Sequence, residues 1–299
     1  VSWKDLTSED RAELLKLKSK GVPLAELSDR CGINILTLDR RLRELSASSR
    51  KKETVIPRPT IKYQVWDEPP VFSGDATIIG DLHLPYLDYQ FADEMLIESR
   101  EVLAPPRRLI ICGDLFNLDS FSTYAPVSPG SISLRHEIAS GKNFLKAALG
   151  IFDTVDITLG NHDRRVIYRT LGQISDVELR SLIGCDNVNF YLYGHAILQT
   201  KRGEWRCTHQ ASYSTNSQSV GVKLAHKFGQ HIITHHQHKV SVGFDSSGRY
   251  VVIDNGMMAS PSLIDYANVV DNTLPAFKQS YVIIKEGKAR LYTNNEPLA

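Results

Sequence analysis

The stretch Val155-Asp156-Ile157-Thr158-Leu159-Gly160-Asn161-His162-Asp163 decides how this chain is read. A strand-like apolar run from Val155 to Leu159 stops at a glycine, and amide, imidazole and carboxylate side chains follow at once. The same join recurs outward along the sequence. Ala76 to Ile79 precedes Asp81-Leu82-His83, Leu109 to Ile111 precedes Gly113-Asp114, and Ile232-Ile233-Thr234 precedes His235-His236-Gln237-His238. Layered α/β folds place chemistry at the carboxyl ends of buried strands, because the sheet is rigid and the loops beyond it converge. The four joins are read as one metal site.

Strand runs alternate with helical patterns after residue 60. Asp75 to Gly80, Leu109 to Cys112 and Asp156 to Leu159 read as strands, with helices over Gln90 to Leu103 and Leu134 to Leu149 between them. Beyond Val188 the pattern is strand after strand, with hairpin turns at Asp245-Ser246-Ser247-Gly248 and Glu286-Gly287-Lys288. An α/β half followed by a β-rich half predicts an α/β fold of two packed sheets flanked by helices. The expected domains are a small all-α unit over 1–46, a linker over 47–60 and the two-sheet domain over 61–299. The Ser-, Pro- and Tyr-rich segment Ser120 to Ser133 reads as a lid, a substrate loop or a plain surface loop.

The first unit reads as three short helices. Thr7-Ser8-Glu9-Asp10 has capping-box spacing before Leu14, Leu15 and Leu17; Pro23 opens a second helix; Gly32 marks a turn; and Leu38, Leu42 and Leu45 line a third. Ala25 to Asn34 followed by Thr37-Leu38-Asp39-Arg40-Arg41-Leu42 resembles the resolvase and transposase type of helix-turn-helix. That resemblance implies nucleic-acid contacts by Thr37, Arg40, Arg41 and Arg43. Ile35, Leu36 and Asp39 depart from the polar start expected of a recognition helix. A helical unit for self-association or partner docking is the other reading.

Asp and His ligate Mn, Fe, Zn or Ni, and a carboxylate can bridge two ions. Asp81, His83, Asp114, Asn161, His209, His236 and His238 offer more donors than one tetrahedral ion needs, so two ions are expected, with Mn(II) first among them. The ordered blocks Asp81-x-His83, Gly113-Asp114-x-x-Asn117, Gly160-Asn161-His162-Asp163, the lone His209 and His235-His236-x-His238 resemble the calcineurin-like metallophosphoesterase superfamily over about residues 75–260. The resemblance implies an αββα-type sandwich. It places Asp81, His83 and His238 on one metal, and Asp114 as a bridge to a second held by Asn161, His209 and His236. It implies in-line attack on phosphorus by a metal-activated hydroxide, His162 as acid for the leaving oxygen and Asp163 as the group orienting its ring. Arg164 or Arg165, just past the block, is read as a clamp on a phosphate oxygen. His235 stands where the family has glycine. His236 and His238 are kept as ligands because extended positions two apart point the same way.

The remaining features set bounds. A chain of 299 residues, 42% hydrophobic and with net charge +1, is an ordinary globular composition. Residues 1–60 hold 13 Lys and Arg against 9 Asp and Glu, and the rest 22 against 25, which makes the helical unit and linker mildly basic. Cys31, Cys112, Cys185 and Cys207 lack Cys-x-x-Cys spacing. No apolar run approaches the ~20 residues of a membrane span. The expectation is a cytoplasmic phosphoesterase acting on phosphodiesters, with nucleic acid as substrate. A phosphomonoesterase for a nucleotide or small metabolite, and a non-catalytic DNA-binding or adaptor protein, are the alternatives.

Overall fold

The computed structural model describes residues 1–49, 68–122, 132–174, 176–210, 212, 214–264 and 276–294. The linker from residue 50 onward and positions 123–131 of the Ser120–Ser133 segment lie outside them. The chain divides into two compact units, Val1–Trp66 and Asp67–Ala299.

Helices α1 (Ser8–Ser19), α2 (Leu24–Cys31) and α3 (Ile35–Ser49) make up the described part of the first unit. Thr7 caps α1 reciprocally: Asp10 N–H donates to Thr7 Oγ1 at 3.1 Å, and Thr7 N–H to Asp10 Oδ2 at 2.9 Å, satisfying backbone donors that the first turn leaves free. Gly32 ends α2 at φ 66°, a left-handed position that glycine takes without strain. Leu14, Leu27, Ile33, Leu38 and Leu42 are the buried core. Helix α3 continues to Ser49, past the Leu45 at which the apolar spacing stops.

The second unit is built on two six-stranded sheets. One contains β2 (Ala76–Ile79), β3 (Arg108–Cys112), β4 (Thr154–Thr158) and β5 (Val188–Tyr191), all parallel, extended by β11 (Ser280–Lys285) and β12 (Lys288–Thr293) in the order β12-β11-β2-β3-β4-β5. The other runs β1-β6-β7-β8-β10-β9, from β1 (Val71–Ser73), β6 (His195–Thr200), β7 (Gly203–His209), β8 (His231–His235), β9 (Ser241–Phe244) and β10 (Val251–Asp254). Within it β7, β8 and β10 are parallel.

Period-two alternation explains the layers. Ile78, Ile110, Val282 and Ile284 point to the inter-sheet core, where they join Leu198, Cys207, Ile233 and Ile253. Ile79, Leu109, Ile111, Val155 and Ile157 point the other way, onto α4 (Tyr89–Val102) and α5 (Leu134–Leu149) through Phe91, Met95, Phe144 and Leu145. Strands covered on both faces read as near-continuous aliphatic runs, broken here only by residues such as Thr77 and Asp156, which is why they stood out in the sequence. On the far side α8 (Ser219–Phe228) lays Ala225 against Ile232 and Val252. The result is a helix–sheet–sheet–helix sandwich. Helices α6 (Asp163–Arg169) and α7 (Asp176–Ile183), together with α8 and β1, were not foreseen, because their apolar residues are few and the runs short.

Candidate metal centre

Every expected ligand stands at the carboxyl end of a strand: Asp81 and His83 after β2, Asp114 after β3, Asn161 after β4, His209 at the end of β7, and His236 and His238 after β8. The chain turns abruptly at these points. Asp81, His83, Asp114, His236 and His238 have φ of 52°, 45°, 51°, 87° and 54°, left-handed values that cost a non-glycine residue about 1–3 kcal/mol each. His236 and His238 are therefore not two positions of an extended strand, and strand alternation, contrary to expectation, is not what aims them together. Strand β8 ends at His235, and two left-handed residues curl the chain back. The packing is tight as well, since a Cβ at Gly160 would overlap the Asp114 carboxylate.

Two sets of donors form. Asp81, His83 and His238 present atoms within 4.8 Å of one another, as do Asp114, His209 and His236. His238 Nε2 is 3.3 Å and His83 Nε2 3.8 Å from Asp81 Oδ1. The two Nε2 atoms face each other at 3.2 Å. Asp114 Oδ2 lies between the sets, 3.3 Å from His209 Nε2 and 3.9 Å from His83 Nε2. Asn161 Oδ1 joins the second set, 2.9 Å from His209 Nε2. A third grouping, His83, Asp114 and His162, meets the same distance limit and was not foreseen.

The outer ring nitrogens are already occupied. His209 Nδ1–H donates to the Cys112 carbonyl at 3.1 Å, and His83 Nδ1–H to Asn117 Oδ1 at 3.1 Å. These partners hold each Nδ1–H outward and turn each Nε2 inward, the nitrogen a metal would take once any proton on it is displaced. Asp81 Oδ2 accepts His236 N–H at 2.9 Å, tying the end of one sheet to the end of the other. Asp81 Oδ1 is buried with no hydrogen-bond partner. A buried carboxylate oxygen without a hydrogen-bond partner is costly, and a donor set of carboxylate, amide and imidazole fits divalent ions.

The electrostatics follow from crowding. Burial pushes Asp81 upward, yet His209 and His238 hold it well below the ordinary carboxylate range. Asp114 is likewise lowered against burial, by His209 and His162. Burial opposes protonation of His209, but Asp114 and Asp81 raise it to about 9. Burial lowers His236, with His209 adding to the effect. His235, brought by burial to about 4, points away: its Nε2 accepts from Asn255 Nδ2 at 3.0 Å.

The residues after the third join hold a different arrangement from the expected one. Asp163 does not orient the His162 ring. Its oxygens accept Phe116 N–H at 3.1 Å and Gly160 N–H at 2.9 Å, pinning the turns after β3 and β4, and burial raises it to about 6. The ring is held by main chain instead, with Nδ1–H donating to the Asn117 carbonyl at 2.8 Å. Arg165 Nη2 donates to His162 Nε2 at 3.0 Å, Arg165 Nη1 donates to the same Asn117 carbonyl at 2.9 Å, and Asp119 Oδ1 is 3.7 Å away. Burial, reinforced by His83 and Arg165, keeps His162 neutral despite Asp114. Arg164 is committed elsewhere, to the Leu192 carbonyl. Asn117 is the functional residue the sequence reading left without a role; its position three after Asp114 was the only signal.

In the first unit, Arg40 is exposed and Thr37 half-buried. Arg43 pairs with Asp39 at 2.8 Å, Asp39 also takes Lys18 at 2.6 Å, and Arg41 pairs with Glu44 at 2.9 Å. Leu36 is 79% exposed beside them. Among the described residues no helix is long and apolar enough to cross a membrane.

No family model and no curated protein matches the chain. Similar solved structures include wild-type Vps29 complexed with Zn2+ from Entamoeba histolytica, with 11% identity over 73% of this chain and 97% of that one at a TM-score of 0.38. A hypothetical protein from Pyrococcus horikoshii OT3 has 9% identity, 76% and 89% coverage and a TM-score of 0.47. A predicted phosphoesterase from Streptococcus pneumoniae TIGR4 has 11% identity, 74% and 98% coverage and a TM-score of 0.33. The chemistry rests on the residues themselves.

Proposed function

We propose that the chain is a dinuclear-metal phosphoesterase of the calcineurin-like superfamily that hydrolyses phosphodiester bonds, with nucleic acid as its substrate class. The observation that carries this reading is the Asp114 carboxylate, whose Oδ2 faces His83 of one donor set and His209 of the other while Oδ1 accepts the His162 N–H at 2.8 Å. Asp81, His83 and His238 would hold one ion and Asp114, Asn161, His209 and His236 the other. Two divalent ions, Mn(II) first among the candidates, supply activation of water and neutralise charge on a phosphoryl group.

The chain's own residues do the rest. Arg165 is placed to move its guanidinium fork from His162 Nε2 to a non-bridging phosphate oxygen. With an anion in place of that contact, the imidazole gains basicity and takes up a solvent proton on Nε2 while Nδ1–H stays on the Asn117 carbonyl; as an imidazolium it can then pass that proton to the leaving oxygen and return to the neutral ring. The Asn117 carbonyl keeps the ring aimed during transfer. Asp163 keeps the Gly160 turn closed against Asp114. Support for a nucleic-acid substrate comes from Arg40, exposed on α3 with no carboxylate partner among the described residues, and from the weakness of exposed ion pairs, which lets Arg41 and Arg43 exchange partners for phosphates.

Incubation with Mn(II) against bis-p-nitrophenyl phosphate, p-nitrophenyl phosphate, and single- and double-stranded DNA and RNA tests the reading. Metal-dependent cleavage of the diester and of polynucleotide is expected, with polynucleotide affinity reduced on deletion of residues 1–49. Turnover of the monoester alone would replace the substrate class, and no turnover of any ester would leave a binding protein.

A further inference from the structure

Glu137, on α5, is wholly buried and belongs to neither donor set. Its Oε2 accepts Leu118 N–H at 2.7 Å, and its Oε1 has no partner. Burial lifts its pKa to about 7; the Leu118 and Asp119 N–H groups and the Arg165 charge pull it down, while the Asp119 carboxylate pushes it up. A carboxylate placed under an apolar layer is costly unless something requires it.

The peptide between Asn117 and Leu118 is what it touches. The N–H end faces Glu137, and the carbonyl end accepts both His162 Nδ1–H at 2.8 Å and Arg165 Nη1–H at 2.9 Å. Leu118 sits at φ 52°, so the orientation of this peptide is one that a leucine resists. The Asn117 side chain meanwhile meets His83 Nδ1 at 3.1 Å. The peptide thus orients the ring expected to donate a proton and the arginine beside it, while the side chain of the same Asn117 orients one ligand of the first donor set. Above about pH 7, where Glu137 is mostly ionised, its anion at the N–H end of the peptide increases the negative charge on the peptide oxygen, because hydrogen bonds in series polarise one another by roughly 10–30% per bond.

We propose that Glu137 is a positioning residue: through Leu118 N–H it fixes and polarises the Asn117–Leu118 peptide, and the Asn117 carbonyl thereby holds His162 as its Nδ1–H tautomer with Nε2 turned to the phosphoester. This inference rests on the phosphoesterase reading above for its catalytic consequence, but the tautomer is a property of the protein without metal or substrate.

The test uses the full-length chain with Glu137→Gln, which keeps an acceptor but no charge, and Glu137→Leu, which keeps neither. In metal-free protein, 15N-histidine NMR is expected to show a protected His162 Nδ1–H, mixed tautomers in Glu137→Gln and loss of that proton's protection in Glu137→Leu. In Mn(II)-loaded protein, kcat for a phenyl phosphoester should fall about tenfold in Glu137→Gln, with KM unchanged. For the p-nitrophenyl ester, whose leaving group needs little acid assistance, kcat should fall less than about threefold, given that acid catalysis as a whole contributes about 10²–10⁴. His162→Ala should remove the difference between Glu137 and Gln. If Glu137→Leu fails to fold, the Gln variant decides alone. Unchanged His162 signals in a folded variant, or equal loss with both leaving groups, would overturn the proposal. A wild type that turns over no ester but shows the tautomer shift would sink the phosphoesterase reading and leave the positioning role standing.

Discussion

Asp156 and Asp81 are buried alike, at 1% and 0% exposure, one inside a strand and the other just beyond a strand of the same sheet, and their surroundings could hardly differ more. Asp156, in the middle of β4, accepts from Arg108, from Asn189 Nδ2 at 3.0 Å and from Tyr191 OH at 3.1 Å. Its charge is balanced inside the chain. Asp81, just past β2, has one oxygen without a partner, three imidazoles within 3.8 Å, and a left-handed backbone. Among the described residues it has no Lys or Arg partner. The contrast separates a carboxylate that the fold satisfies from one that the fold leaves for an external cation.

The most disruptive test of that contrast compares catalytic loss. Asp114→Ala should lower Mn(II)-dependent turnover by at least about a thousandfold, since charge stabilisation at a metal centre is worth several kcal/mol and each 1.36 kcal/mol is tenfold in rate. Asp156→Asn should leave turnover within a few-fold. Similar losses in steady-state assays of both would erase the distinction.

Stability should divide the two regions the other way. Arg108→Ala strands Asp156 without its cation and should cost about 3 kcal/mol, or roughly 6–12 °C in thermal midpoint for a domain of this size, with or without Mn(II). Mn(II) at a hundred times its Kd should raise the wild-type midpoint, by about 2.7 kcal/mol per site, and should do so far less in Asp81→Asn. Scanning calorimetry with and without chelator measures both. A chelator-sensitive Arg108→Ala defect would mean the regions are not independent.

The smallest effect is in pH. Against burial, Asp114 and Asp81 raise His209 to about 9, so a metal must displace its proton at neutral pH. The sign is that affinity increases with pH: apparent Kd for Mn(II) should fall about tenfold per unit between pH 7 and 9 for one displaced proton, and level off above. For folding without metal the same group acts oppositely. Its stabilising contribution is complete below the unfolded value of about 6.5 and is lost as pH rises through about 9. Titration calorimetry in buffers of different ionisation enthalpy would count the protons released.

How far the sequence carried this account depends on the kind of contact. Strands β2, β3 and β4 were legible because both their faces are covered and aliphatic residues such as Ile78, Ile110 and Ile157 outnumber the few polar ones, Thr77 in β2 and Asp156 in β4 among them. The donors were legible because carboxylate and imidazole are scarce directly after such runs. Left-handed turns at His236 and His238 were not, since neither is a residue type that demands one. The exchange of Asp163 for the Asn117 carbonyl as the His162 partner was invisible for a deeper reason: a main-chain oxygen is present at every position and marks none. Helix α8 was obscured by having only Ala225 and Gly221 among its buried positions.

Two ions should bind where the strand ends of both sheets meet. Anomalous diffraction at the manganese edge from crystals grown with Mn(II) would reveal them. Two peaks about 3.5–4 Å apart, one against Asp81, His83 and His238 and the other against Asn161, His209 and His236 with Asp114 between, are the predicted result. Density elsewhere on the chain, or none among these seven side chains at saturating metal, would contradict it.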